Sequence, residues 1–364
     1  MRKIILLLLM ANVSFAQLFQ KKLDSLLQAH AEKDKAGMAV LVMKNGKTLY
    51  KEGFGLSNID TQTPITPETN FRMASVSKQF TAACIILLEN KKKLSYEDNL
   101  LKFFPDFNKE IGSQIQIKHL LTHTSGILDY EELIPDNQKE QLSDADVLQF
   151  LKVQTKTYFK AGSKFRYSNS GFCLLEQIIE KASGQNFVTF IKANVFEPLG
   201  MNNSTIYEAG RPMLNRAMGY ARDKSGKVVF ADQSITSATK GDGCVYSSLE
   251  DYSKWYQAIA SNRLFHVVDE LKKINHLIEG NKDINYGLGW FNGYGDKGIE
   301  LYHTGSTCGF SNVVNVVPGK QFLFVYFSNI ADNHSLEKPI RDLLRAEKID
   351  NTEIDFAKVL SLTN

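Results

Sequence analysis

Apolar residues recur along this chain in two rhythms. Leu18, Leu23, Leu26 and Leu27 form an uneven stripe that predicts a helix from Leu18 to about Ala31, whereas Met38 to Met43 is an unbroken apolar run of strand length. Asn45-Gly46 is a hairpin turn signal, and Thr48 to Phe54 can return antiparallel. From about Ser75 to Gly219 the rhythm is helical, with runs at Phe80 to Asn90, Ala145 to Lys152, Phe172 to Lys181 and Phe187 to Val195 joined by polar or Gly/Pro loops. Past Asn285 the strand rhythm returns in Leu288 to Phe291, Ile299 to His303, Phe310 to Val317 and Gln321 to Ser328, with Pro318-Gly319 as a turn. Asn333 to Leu344 predicts a closing helix. Isolated hairpins are marginal until further strands or helices cover them. The expected fold is therefore α/β (α+β): an antiparallel sheet built from both chain ends, flanked by helices, with a mostly helical domain inserted. Residues 17–74 and 220–345 would form the sheet domain and 75–219 the helical one, with the functional site where they meet. The tail, 346–364, reads equally as a short docked helix or an ordered strap.

Composition narrows the picture. Of the 364 residues 43% are apolar and 23% charged, enough to bury a core, which excludes a disordered chain. Residues 1–16 have the layout of a secretory signal: Arg2 and Lys3, the apolar run Ile4 to Met10, and Ser14-Phe15-Ala16 before Gln17. That run is too short to cross about 30 Å of hydrocarbon. A periplasmic or secreted mature protein with no stable membrane span is expected, and no Cys follows the cleavage point to carry a lipid. Without Arg2 and Lys3 the formal charge falls from +3 to +1, which argues against a nucleic-acid partner. Cys84 and Cys173 lie in apolar helical runs as buried thiols; with Cys244 and Cys308 they form neither a disulfide framework nor a zinc pattern.

Three short segments could carry chemistry. In Ser75-Val76-Ser77-Lys78, at the start of an amphipathic run, Lys78 falls one turn after Ser75, so its amine can reach the Ser75 hydroxyl and activate it without histidine. The plain alternative is an N-capping serine with a surface lysine, and two further Ser-x-x-Lys copies, Ser237/Lys240 and Ser335/Lys338, show how little the motif says alone. Tyr167-Ser168-Asn169 stands in a loop before a helical run; a nearby cation such as Lys78 would favour the phenolate of Tyr167, and the alternative is a loop tyrosine with an N-capping asparagine. His303-Thr304-Gly305-Ser306 ends a predicted strand, where a bare edge at Gly305 could bind an acyl substrate; the alternative is a hairpin corner. His119, His123, Asp129 and Glu131 invite a metal reading, but Leu121 to Gly126 looks more like a helix terminus folding into a loop, with hydroxyls and an imidazole satisfying backbone groups.

Taken in order, with 92 residues from Ser75 to Tyr167 and 136 more to His303, these segments resemble the three motifs of the serine penicillin-recognising family. Within it the chain most resembles class C β-lactamases and the related serine D-alanyl-D-alanine carboxypeptidases and esterases, over roughly residues 20 to 345. The resemblance implies a serine β-lactamase/transpeptidase-like fold and a serine hydrolase without metal or cofactor. Its substrates would be small peptides, esters or β-lactams, and a monomer is the default. It further implies that Ser75 forms an acyl-enzyme, Lys78 assists proton removal, and Tyr167 shuttles a proton to the leaving group. Asn169 would bond the substrate amide or the lysine, the backbone N–H groups of Ser75 and Ser306 would form the oxyanion hole, and Thr304 would touch a substrate carboxylate or ester. His303 departs from the lysine that many β-lactamases place there and removes a fixed cation. Arg211, Arg216 and Arg222 are offered as anion binders in its stead.

Overall fold

In the computed structural model, which describes residues 17–30, 35–296, 298–350 and 352–356, the two rhythms separate into layers. The expected signal segment lies outside the described residues. Helix α1 (residues 17–30) precedes the hairpin of β1 (Met38–Lys44) and β2 (Lys47–Phe54), where Asn45 and Gly46 both hold positive φ, as a two-residue primed turn requires. The principal helices that follow are α2 (Lys78–Asn90), α3 (Asp144–Lys152), α4 (Asn169–Ser183) and α5 (Leu249–Ala260). Strands β3 (His276–Leu277), β4 (Asn285–Gly287), β5 (Trp290–Gly295), β6 (Gly298–Thr307), β7 (Phe310–Val317) and β8 (Phe322–Ser328) come next, then helix α6 (Glu337–Ala346).

The sheet runs β3-β4-β5-β6-β7-β8-β1-β2, with β1 paired antiparallel to β8 from Met38↔Ser328 to Lys44↔Phe322. Both chain ends thus build one antiparallel sheet, as the two apolar rhythms predict. Each face is covered. Along β8, Leu323, Val325 and Phe327 join the core shared with α2, α4 and α5, while Phe322, Phe324 and Tyr326 meet Phe19, Leu23 and Leu27 of α1 and Ile340 and Leu344 of α6. Burial on both faces is why these strands read as continuous apolar runs; each large apolar side chain so buried contributes about 1.5–3 kcal/mol. Part of the tail forms an ordered strap: Phe356 stacks on Tyr302 at 5.1 Å, and the N–H groups of Glu353 and Ile354 donate to the buried Glu300 carboxylate. Residues 357–364 lie outside the described residues. Cys84, Cys173 and Cys244 are buried thiols, and Cys308 is half-buried.

Two boundaries differ from the sequence reading. Of the predicted strand Leu288 to Phe291, Leu288 and Gly289 form a hairpin turn at positive φ with Gly287 paired to Trp290 across them, and only Trp290 and Phe291 are strand, opening β5. Strand β6 does not stop at His303, because β7 holds it to Thr307↔Phe310, so His303 to Ser306 lie inside a strand and not at a hairpin corner. The ladder to β5 ends earlier, at Phe291↔Tyr302, which leaves one edge of β6 open from His303 onward.

Sheet and helices touch most closely near that open edge. A Cβ on Gly305 would lie 2.2 Å from the Met73 carbonyl oxygen, and one on Gly289 would lie 2.6 Å from the Gln79 backbone nitrogen. The bulk that Gly305 keeps out is the protein's own backbone, not a substrate. Asn312 of β7 secures the same seam by donating to the Arg72 carbonyl at 2.8 Å. Gly305→Ala is expected to lower stability by about 1–3 kcal/mol, since backbone must move to admit one methyl. Chemical denaturation of the two proteins measures this, and equal stability would contradict it.

Candidate active site

Ser75 sits in a single 3-10 turn, Ala74–Ser77, that leads directly into α2. The turn hangs from a short ribbon in which Phe71 and Arg72 pair with Ser247 and Tyr246. Met73 N–H donates to the Val245 carbonyl, and the Ser77 hydroxyl accepts from Val245 N–H at 3.0 Å. Held from both ends, Ala74 adopts φ +48°, a left-handed conformation that costs a residue with a Cβ about 1–3 kcal/mol. Its neighbours in the turn are buried while Ser75 is only half-buried. Ser75 makes no cap; the residue before α2 is Ser77, also without a side-chain cap bond.

Lys78 is wholly buried, which excludes the surface-lysine alternative. Its ammonium donates to Ser75 Oγ at 3.1 Å, Asn169 Oδ1 at 2.9 Å and the Asp242 carbonyl at 3.0 Å, so three N–H bonds find three acceptors. Asn169 is the first residue of α4 and not its cap; Ser168 caps the helix by accepting from Gly171 N–H, which frees the Asn169 amide to face Lys78. The Asp242 carbonyl belongs to the turn Lys240–Gly243, clamped from two sides. Asp144 of α3, itself buried, accepts from the N–H groups of Lys240 and Gly241 at 2.6 and 3.0 Å, and Thr81 of α2 donates to the Gly241 carbonyl. Burial, then the neighbouring Asp242 carboxylate, pushes the Asp144 carboxyl up to about 7.

Tyr167 lies in an aromatic nest. Lys78 Nζ stands 4.9 Å from its ring centroid, and the His123 ring packs on it at 4.2 Å. Its phenol oxygen is buried and has no hydrogen-bond partner among the described residues. His123 follows the helix Ile117–Leu121 with φ +56°, and its Nδ1 accepts from Ser168 N–H at 3.1 Å. His119 accepts from Gln116 N–H, so both imidazoles serve backbone groups, the plain reading of that segment. His303, also buried, donates from Nδ1 to the Thr304 carbonyl and accepts at Nε2 from Tyr286 Oη at 3.1 Å. Burial, aided by the charge of Lys78, pushes the His303 imidazole down to about 3; burial and Lys78 likewise hold His123 well below its ordinary value. Both are neutral at physiological pH.

A cleft of about 80 Å³ opens beside Ser75 between Ala74, Tyr130, Glu131, Asn169, Asp242 and Ser306. Ser75, Lys78, Tyr167 and Asn169 are therefore brought together, with β6 alongside through Gly305 and Ser306. Thr304 is nearly buried, and the wall is formed by Ser306 and Thr307. None of the three arginines offered as anion binders lines the cleft. Arg211 pairs with Glu208, Arg216 with Asp232, and Arg222 donates to the Gly226 carbonyl. The arginine that does line it is Arg72, which sequence reasoning passed over; only its place three residues before Ser75 marked it. Asp144 and Asp242 were equally unassigned as site residues, and Glu131 had entered only in the metal reading.

A family model described as Beta-lactamase matches residues 15–347. A penicillin-binding protein of Bacillus subtilis (strain 168) is 29% identical over 337 residues, covering 88% of this chain and 74% of that protein. Protein flp of Staphylococcus aureus (strain N315) is 26% identical over 85% of this chain, and this chain spans only 63% of its length. Among solved structures, the penicillin binding protein from Bacillus halodurans superposes with a TM-score of 0.76 at 26% identity, covering 88% of this chain and 98% of that one.

Two outcomes are expected from this geometry. Asp144→Asn can accept only one of the two backbone N–H groups and presents a donor to the other, so stability should fall by about 1–3 kcal/mol in denaturant titration. For His303, the folded pKa of about 3 lies below the ordinary 6.5, so the unfolded chain binds the extra proton first and stability drains as pH falls between those values. Relative to His303→Gln, the wild type should lose about 1.4 kcal/mol per pH unit from pH 6 to 4. A pH-independent difference would mean that His303 titrates normally.

Proposed function

The chain belongs to the beta-lactamase family, and from that premise we propose that it is a serine hydrolase working through an acyl-enzyme on Ser75. The observation that carries the reading is the line of contacts from Ser75 Oγ through Lys78 Nζ to Asn169 Oδ1, at 3.1 and 2.9 Å, on the floor of an open cleft. Ser75 Oγ attacks the carbonyl carbon of an amide or ester from the form of the site in which the Lys78–Tyr167 pair has given up one proton, as a neutral amine beside the phenol or an ammonium beside the phenolate, and that pair takes up the serine proton. The N–H groups of Ser75 and Ser306 receive the developing oxyanion. As the bond to the leaving group breaks, Tyr167 returns a proton to it; water then attacks the acyl-enzyme with the proton path reversed. The unpartnered Tyr167 oxygen supports this role, since it keeps a lone pair and a proton uncommitted at rest.

The leading substrate reading is a peptide bond of the D-alanyl-D-alanine carboxypeptidase kind. Ester hydrolysis is the second reading, favoured by His303: neutral and buried, it supplies no fixed cation to hold a terminal carboxylate, and efficient β-lactam turnover is disfavoured for the same reason. The proposal includes export to the periplasm or beyond. The layout of residues 1–16 supports it, and among the described residues no helix is long and apolar enough to cross a membrane. It also retains the division into 17–74 with 220–345 and an inserted 75–219, with Ser75 on the seam.

Intact-mass spectrometry after exposure to a penicillin, a D-Ala-D-Ala peptide and a short-chain activated ester tests the assignment. An adduct or product that disappears in Ser75→Ala is expected, with Lys78→Ala and Tyr167→Phe slower by about two orders of magnitude or more. Near-normal turnover by Ser75→Ala would sink it.

A further inference from the structure

We propose that His123 is a positioning residue for Tyr167, holding the chain on both sides of it and the plane of its ring so that the phenol can protonate the leaving group; this rests on the reading of Ser75 as nucleophile and Tyr167 as proton shuttle. Tyr167 stands near the end of the loop that joins α3 to α4, and a loop alone does not fix an aromatic ring. One residue supplies what the loop lacks. The His123 carbonyl accepts from Arg166 N–H at 2.9 Å and His123 Nδ1 accepts from Ser168 N–H at 3.1 Å, so the amides before and after Tyr167 close on the same histidine. Its ring lies 4.2 Å from the tyrosine ring between centroids, with 41° between their planes.

The attachment continues a longer one. Tyr158 N–H donates to the Gly126 carbonyl and Gly162 N–H to the Thr124 carbonyl, so the segment Leu121 to Gly126 carries the loop along its length, and His123 carries the last step. To make that step His123 takes φ +56°, uncommon for a residue with a side chain, although histidine adopts it more readily than most. Its chemistry is constrained as well. A ring that accepts at Nδ1 must be neutral with its proton on Nε2, and burial, with the charge of Lys78 nearby, keeps it neutral. That Nε2 is buried without a hydrogen-bond partner among the described residues, amid the rings of Tyr167, Tyr286 and Phe172, whose centroids lie within 5.2 Å of its own. Backbone strain and an unpaired buried donor both count against the fold, and what they secure is the setting of Tyr167.

The step so served is departure of the leaving group. As the bond from the acyl carbon to the leaving oxygen or nitrogen breaks, the proton taken from Ser75 passes from the Lys78–Tyr167 pair to that atom. A leaving group that is stable as an anion hardly needs this proton, whereas an alkoxide does, so a misplaced Tyr167 costs most where the leaving group is poorest.

The test compares kcat/KM for p-nitrophenyl acetate and for trifluoroethyl acetate in the full chain and in two variants. His123→Phe keeps a ring and loses the acceptor, whereas His123→Asn keeps an acceptor, suits positive φ and loses the ring. Each should lose about tenfold or more on the alkyl ester while the activated ester changes by less than about threefold. The ratio of the two rates is untouched by a loss of folded protein, which lowers both alike. In a Tyr167→Phe background the same changes at His123 should move that ratio by less than about twofold. Without any variant, nitrogen-15 NMR of the wild type near neutral pH should find the His123 proton on Nε2. With turnover intact, equal losses on the two esters, full additivity with Tyr167→Phe, or a proton on Nδ1 overturns the positioning role alone. Absence of any Ser75-dependent turnover overturns the nucleophile reading, and the positioning role with it.

Discussion

An ammonium shut away from water must find an acceptor for every N–H, and Lys78 finds its three on segments far apart in the chain: the turn before α2, the first residue of α4, and the turn Lys240–Gly243. Each unsatisfied bond would cost about 1–3 kcal/mol. The requirement therefore ties those segments to one point in space. Much nearby packing follows from it. Gly241 can carry no Cβ because the Phe172 carbonyl would be 2.2 Å away, and Gly289 lies against the backbone of Lys78 itself. Ser75 is placed less by its own contacts than by the burial of the amine beside it.

The same charge orders the ionisable groups around it. His123 and His303 lie within its field and are held neutral, so His303 can donate from one nitrogen and accept at the other, and His123 can accept at Nδ1, without adding a further buried cation. On the other side, Asp144, Glu176 and Asp242 are buried carboxyl groups whose pKa values burial raises, and Lys78 opposes the rise at Asp242. The site thus sets two engaged cations, Lys78 and Arg72, between a neutral aromatic wall and a carboxyl-rich one. Such asymmetry gives a small cleft a preference for charge before any shape is fitted.

The large features were legible in the sequence because they depend on local periodicity and turn chemistry. The hairpin at Asn45-Gly46, the apolar run of β1 and the helix beginning at Lys78 needed only their own residues. The pairing of Ser75 with Lys78 was legible too, as a spacing of one turn. What failed was whatever depended on a partner strand or a distant backbone group. The length of β6 is set by β7, so His303 could not be told from a strand end. Asn169 looked like a cap because the sequence does not say that Ser168 takes that task. Arg72 and Asp144 carry no motif, and their roles come from backbone carbonyls and N–H groups that only the folded chain assembles.

The pairing of β1 with β8 has a kinetic side. Residues 38–44 sit in the centre of the sheet, but their partners on one flank are residues 322–328. Until almost the whole chain is available, the first hairpin has one neighbour where it needs two, and its apolar face stays uncovered. Closing so long a loop is entropically slow, and contacts of that sequence separation are made late. The helices between can form and pack in the meantime. Sheet closure, and with it the press of Gly305 against the turn that holds Ser75, is then the final event of folding, so a chain cut short before β8 would contain every residue of the Ser75–Lys78–Asn169 line and of β6 beside it, yet lack the strand that joins β7 to β1.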